Sequence, residues 1–158
     1  MDEDVTNINE FTANLKIEAA DINQRTVNYV KYIAFETLRR LVLKTPVDTG
    51  RARSSWQIGI SDVTTDIWLD DPLIEGMKKL QEIKEFDIIY IYNNVFYTYY
   101  LEHGHSKQAP NGMVAITVEE INQMPVPENI MPVVFSFTMY EVPKDQRETY
   151  GKGMQSNP

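Results

Sequence analysis

Between Phe11 and Lys44 the chain carries neither Pro nor Gly, and apolar residues recur at Phe11, Leu15, Ala19, Ile22, Val30, Ile33, Ala34, Leu38 and Leu41. Steps of three, four and seven or eight predict one long amphipathic helix over about 11–44. Asn7 or Asn9 is its candidate cap, and Pro46 forbids its continuation. At about 1.5 Å per residue this is a rod of roughly 50 Å. A domain of this size is narrower than that, so part of the rod's burial is expected from a neighbouring subunit.

The pattern then shortens. In "TPVDTGRARSSWQIGISDV" the stretch Pro46 to Gly50 has turn chemistry, and Ser54 to Ile60 alternates as a strand does, with Trp56, Ile58 and Ile60 on one face. "TTDIWLD" reads as a second strand, with Asp62 to Thr65 as a hairpin turn. "DPLIEGMKKLQEIK" reads as a short helix capped by Asp70 or Asp71 with Pro72 in its first turn, although Gly76 weakens it.

"FDIIYIYNNV", residues 86–95, is the strongest strand signal, ended by Asn93 and Asn94. "FYTYYLEHG" fits two helical turns with Tyr97, Tyr100 and Leu101 on one side and Gly104 in the left-handed position past the end. "MVAITVEEINQM" is a helix carrying Met113, Ile116, Val118 and Ile121, with a strand as the alternative. "MPVVFSFTMYEV" alternates over Val133, Phe135, Phe137 and Met139 and is expected to close the sheet. The expected fold class is α+β: a long N-terminal helix packed on a small, mainly antiparallel sheet with one or two further helices. The expected organisation is one domain over 1–142 and an extended or disordered arm over 143–158.

Composition narrows the function. The 158 residues include 15 basic and 23 acidic side chains, a net charge of −8 with both histidines neutral. That balance opposes tight wrapping of nucleic acid, which needs clustered Lys and Arg. No cysteine is present, which excludes disulfides and thiolate metal sites. "MDEDVTNINEF" lacks the basic and apolar regions of a signal peptide, and no apolar run spans a bilayer, so a soluble product made in a cytoplasm is expected.

Candidate chemistry gathers at "YYLEHGHSKQAP", residues 99–110, where Glu102 adjoins His103 and His105. Two imidazoles one residue apart and a carboxylate are potential ligands for a metal-dependent hydrolase. Gly104 between them disfavours an extended strand, and a helix end followed by a polar loop accounts for the same residues. No nucleophile elbow or phosphate loop occurs. Ser54 and Ser55 read as solvent-facing alternates of a strand. The aromatic run from Tyr90 to Tyr100 contains no Lys or Arg, which favours packing over base stacking. Asp48 to Arg51 has two readings: a plain turn with Asp48 and Thr49 as caps and Gly50 at positive φ, or a loop presenting Arg51 and Arg53 to acidic partners.

Two segments, "TPVDTGRARSSW" after a long helix and "YNNVFYTYYLEHGHSKQAPNGMVAIT", resemble the tail-completion or neck proteins of tailed bacteriophages. The first supplies Pro46, Val47, Asp48, Thr49, Gly50, Arg51, Ser55 and Trp56; the second supplies Tyr97, Glu102 and Gly104, with Pro110 in the following loop. Together they cover about residues 25–124. The acidic N-terminal extension, the His105 to Gly112 loop and the last strand and tail depart from the family's pattern.

The resemblance implies a virion protein made in the host cytoplasm. It would form a ring of six or twelve copies between the connector-portal stack and the tail, with connector, portal-adaptor and tail proteins as partners. DNA would pass through without sequence-specific binding, and no membrane, cofactor, metal or catalytic residue is involved. A tail-tube terminator ring is the neighbouring alternative. In this reading Asp48 is a local cap, Gly50 the flexible position and Arg51 the interface or loop-bracing cation. Thr49, Arg53, Trp56, Tyr97, Tyr100, Glu102, Gly104 and Pro110 organise loops or interfaces.

Overall fold

A computed structural model describes residues 8–47, 49–64, 66–67, 70–85, 87–104, 106–135 and 144–146, with side chains described from residue 22 onward. The chain is α+β. Its longest element is α1, Ile8–Lys44, 37 residues or roughly 55 Å. Asn9 lies inside the helix and does not cap it; Asn7 is outside the described residues. Then follow α2 (Arg51–Ser54), β1 (Trp56–Ile60), α3 (Pro72–Leu80), β2 (Ile89–Asn93), α4 (Thr98–Glu102) and α5 (Val114–Asn122). A 3₁₀ turn at Lys144–Gln146 lies in the expected arm.

Two apolar stripes run along α1. Val27, Ala34, Leu38 and Leu41 enter the main core with Trp56, Ile58, Leu80 and Met113. Tyr29 and Ile33 form a second cluster with Ile121 of α5, covered by Ile130 and Val133. A third cluster, Ala52, Ile67 and Val95, lies under Tyr97 and Leu101. Helix α3 crosses α1 at Gly76, where a Cβ would collide with the Leu38 side chain. The glycine that weakens the helix in isolation is therefore what permits close helix packing, a tertiary gain that outweighs about 1 kcal/mol of helix propensity. Asp71 caps α3 through Leu73 N and Ile74 N, at 3.0 and 3.3 Å, with Pro72 as the first helical residue.

The sheet is small and antiparallel as expected, but the partner of β1 differs from the expected one. β1 pairs antiparallel with β2, Trp56 opposite Asn93 and Ile60 opposite Ile89, and among the described residues of 61–70 none pairs back on β1. The described residues among 61–67 are irregular; Thr65, Trp68 and Leu69 lie outside the described set. Strand β1 needs an apolar partner able to hold its whole length, and "IYIYN" provides a stronger β pattern than "TTDIWLD". Ser54 belongs to α2 and Ser55 is buried, so neither is a solvent-facing strand residue. Residues 131–135 carry no ladder, and the rest of the expected closing strand, 136–142, is outside the described residues. No described helix is long and apolar enough to cross a membrane.

Candidate functional site

The C-terminal end of α1 is closed by side chains that arrive from later in the chain. Thr45 is fully buried and its hydroxyl donates to Leu41 O at 2.6 Å, while Trp56 Nε1 donates to Thr45 Oγ1 at 2.7 Å. Arg53 Nε donates to Thr45 O at 3.1 Å and its Nη2 to Leu43 O at 3.4 Å. A cation on the last carbonyls satisfies orphan acceptors and opposes the negative end of the helix dipole. The loop-bracing cation is thus Arg53, whereas Arg51 is exposed.

Gly50 has φ +82°, and its carbonyl accepts Ser54 N at 2.9 Å to start α2. Thr49 Oγ1 accepts Arg51 N at 3.4 Å; the cap expected of Asp48 lies outside the described residues. The turn is tied to the sheet by Asn93, whose Nδ2 donates to Ala52 O at 2.7 Å while its Oδ1 accepts Val95 N at 3.0 Å. Asn94 Nδ2 reaches both Thr64 O and Asp66 O, at 2.8 and 2.7 Å. As sequence, these two residues mark only a strand end; folded, they join three segments.

Glu102 ends α4, and its buried carboxylate points at the start of α5. Oε2 accepts Met113 N at 2.7 Å and Val114 N at 2.6 Å, and Oε1 accepts Ala115 N at 3.0 Å. One carboxylate therefore satisfies three amides at the positive end of a helix dipole. The bonds also close the loop between the two helices at its base. Gly104 and Gly112 both have φ +82°. A Cβ on Gly104 would lie 2.5 Å from Pro110 O, and one on Gly112 would strike Glu102 O. Only glycine lets the loop wrap this closely around Glu102.

His103 faces elsewhere. Its Nδ1–H donates to Tyr99 O at 2.7 Å, and its ring sits 4.3 Å from the Tyr99 ring, exposed to solvent. His105 is outside the described residues. Among the described residues no group of three His, Asp or Glu side chains is arranged to hold a metal ion. Tyr97 packs edge-on against Phe96 over the third cluster, and Tyr100 packs edge-on against Tyr99.

The two motif segments meet. Gln108 Nε2 donates to Val47 O at 3.0 Å, and Val47 N donates to Gln108 Oε1 at 2.9 Å. This two-way bond joins residues 61 positions apart and sets the Pro46 to Arg53 turn beside the Gly104 to Gly112 loop. The resulting platform exposes Val47, Thr49, Arg51, Lys107 and Pro110. No property of Gln108 in the sequence marks this role.

Helices α1 and α5 are clamped below the platform by charge. Glu36 binds Arg39 at 2.9 Å and Arg40 at 3.4 Å; Glu120 binds Arg40 at 2.6 Å and Lys44 at 2.9 Å. The hydrogen bond from Arg39 outweighs the opposing effect of burial and, with the Arg39 charge and Arg40 behind it, holds the Glu36 carboxyl below the usual carboxylate value. Lys44 and then Arg40 do the same for Glu120. No protein-family model, curated protein or solved structure matches the chain.

Proposed function

We propose that the chain is a structural subunit of a tailed-bacteriophage neck or tail, assembling as a ring that joins the connector-portal stack to the tail and leaves a channel for DNA. The observation that carries this reading is the junction of the two family-like segments through Val47 and Gln108. Residues that resemble the family only as separate stretches come together in one exposed platform, and their buried members, Trp56 and Glu102, build it.

The platform has a chemistry suited to contact. Among its described residues Arg51 and Lys107 are exposed cations on a chain of net charge −8, so a copy of the same chain offers opposite charge elsewhere on its surface. A contact between unlike patches is head-to-tail, and it closes into a ring when its rotation permits. Six copies carry about fifty negative charges. A channel lined by part of that charge binds phosphate weakly and lets DNA slide.

The test is electron microscopy of the purified full chain beside its Arg51→Glu variant. Closed rings with a central channel are expected for the native chain, and fewer for the variant. Isolated subunits in both samples at high concentration would overturn the reading.

A further inference from the structure

A cleft of about 1080 Å³ opens beside the sheet. Residues 87–96 border it without a gap in the sequence. Successive strand residues point to opposite faces, so an unbroken run places the cleft along an edge of β2 and not over one face. That edge has no ladder partner among the described residues, since β2 pairs with β1 alone. The opposite walls are apolar stripes of α1 and α5 and the extended residues 131–135.

One feature points to a missing polypeptide. Val134 is 89% exposed and Phe135 38% exposed, where the alternating run continues as "SFTMYEV".

We propose that the cleft receives the 134–141 segment of a second copy, added as a third strand on the edge of β2. An elongated groove with an open strand edge suits strand addition, in which backbone bonds give affinity and alternate side chains give specificity. The second copy is favoured over the chain's own segment by what holds residues 131–133. Met131 N donates to Thr26 Oγ1 at 2.8 Å, and Val133 packs on the Tyr29 cluster, so this stretch is a wall of the cleft facing β2. From Val133 to Val142 the sequence has no Gly, Pro, Asn or Asp to turn the chain back across the gap. The proposal deepens the ring reading and rests on it only for closure of the assembly, because one groove and one segment per copy make a head-to-tail contact.

The chain has no cysteine, so pairs of introduced cysteines report the contact cleanly. One full-length variant carries Tyr90→Cys or Tyr92→Cys; a second carries a single cysteine at one of residues 136–140. After mixing and oxidation, a disulfide between the two chains is expected at one register. Val134→Asp in the donating chain, at a position already in solvent, is expected to abolish it. A disulfide that forms only when one chain carries both cysteines would overturn the proposal in favour of the chain's own segment. Rings that persist with no link at any register would overturn the contact and leave the ring reading standing; absence of both would overturn both.

Discussion

Glu102 joins two helices with one side chain, because its three amide partners belong to α5 while its own backbone belongs to α4. Glu102→Ala leaves those amides without an acceptor and is expected to destabilise the fold by about 2–4 kcal/mol, read from denaturant midpoints; a change under 1 kcal/mol would show that water replaces the carboxylate freely. The glycines divide by cause. Gly50 has positive φ with open space where a Cβ would go, so Gly50→Ala is expected to cost about 1 kcal/mol of backbone strain alone. Gly112→Ala adds a collision with the Glu102 backbone and is expected to cost clearly more, about 2–3 kcal/mol. Equal losses in thermal unfolding would contradict this division. From the sequence, Glu102 sits next to two histidines and invites a metal reading; its direction toward α5 depends on a loop whose path no local pattern encodes.

At the scale of elements, α1, α3, β2, α4 and α5 were legible because each repeats apolar residues at its own period or carries its own cap, as Asp71 and Pro72 do for α3. The pairing of β1 was not, because strand partners are selected by burial and not by nearness in sequence, and β1 takes β2 and none of the described residues of the adjacent 64–70 stretch. The Val47–Gln108 bridge was equally hidden, since a glutamine in a polar loop has no distinguishing context. Gln108→Ala is expected to speed hydrogen exchange of the Val47 amide about tenfold or more, with little change in global stability; unchanged exchange would show that the two segments are held by packing alone. The α1–α5 clamp carries a pH signature. Glu36 and Glu120 titrate lower in the folded chain than the ordinary 4.5. Their stabilising contribution is therefore complete above that value and is lost as pH falls through the lower folded-state values. Melting temperature is expected to drop below about pH 4.5, and Glu120→Gln, lowering stability by about 1 kcal/mol near neutrality, is expected to flatten that acid limb. An acid limb identical in the variant would remove Glu120 from the clamp.

The whole molecule combines a helix of roughly 55 Å with a sheet of two five-residue strands among the described residues. Two strands alone are marginal in water, and here α1 and α3 supply the apolar cover while one edge of β2 has no ladder partner among the described residues. A subunit with an overlong rod, an exposed cationic platform and, among the described residues, an unpaired strand edge has several surfaces that association would bury. Native mass spectrometry of the full chain through a concentration series reads the assembly itself. One discrete species of six or twelve copies of the 18.3 kDa chain is expected, reached cooperatively and with no longer ladder above it. A single-copy species at every concentration, or an open-ended series of sizes, would rule out a closed ring.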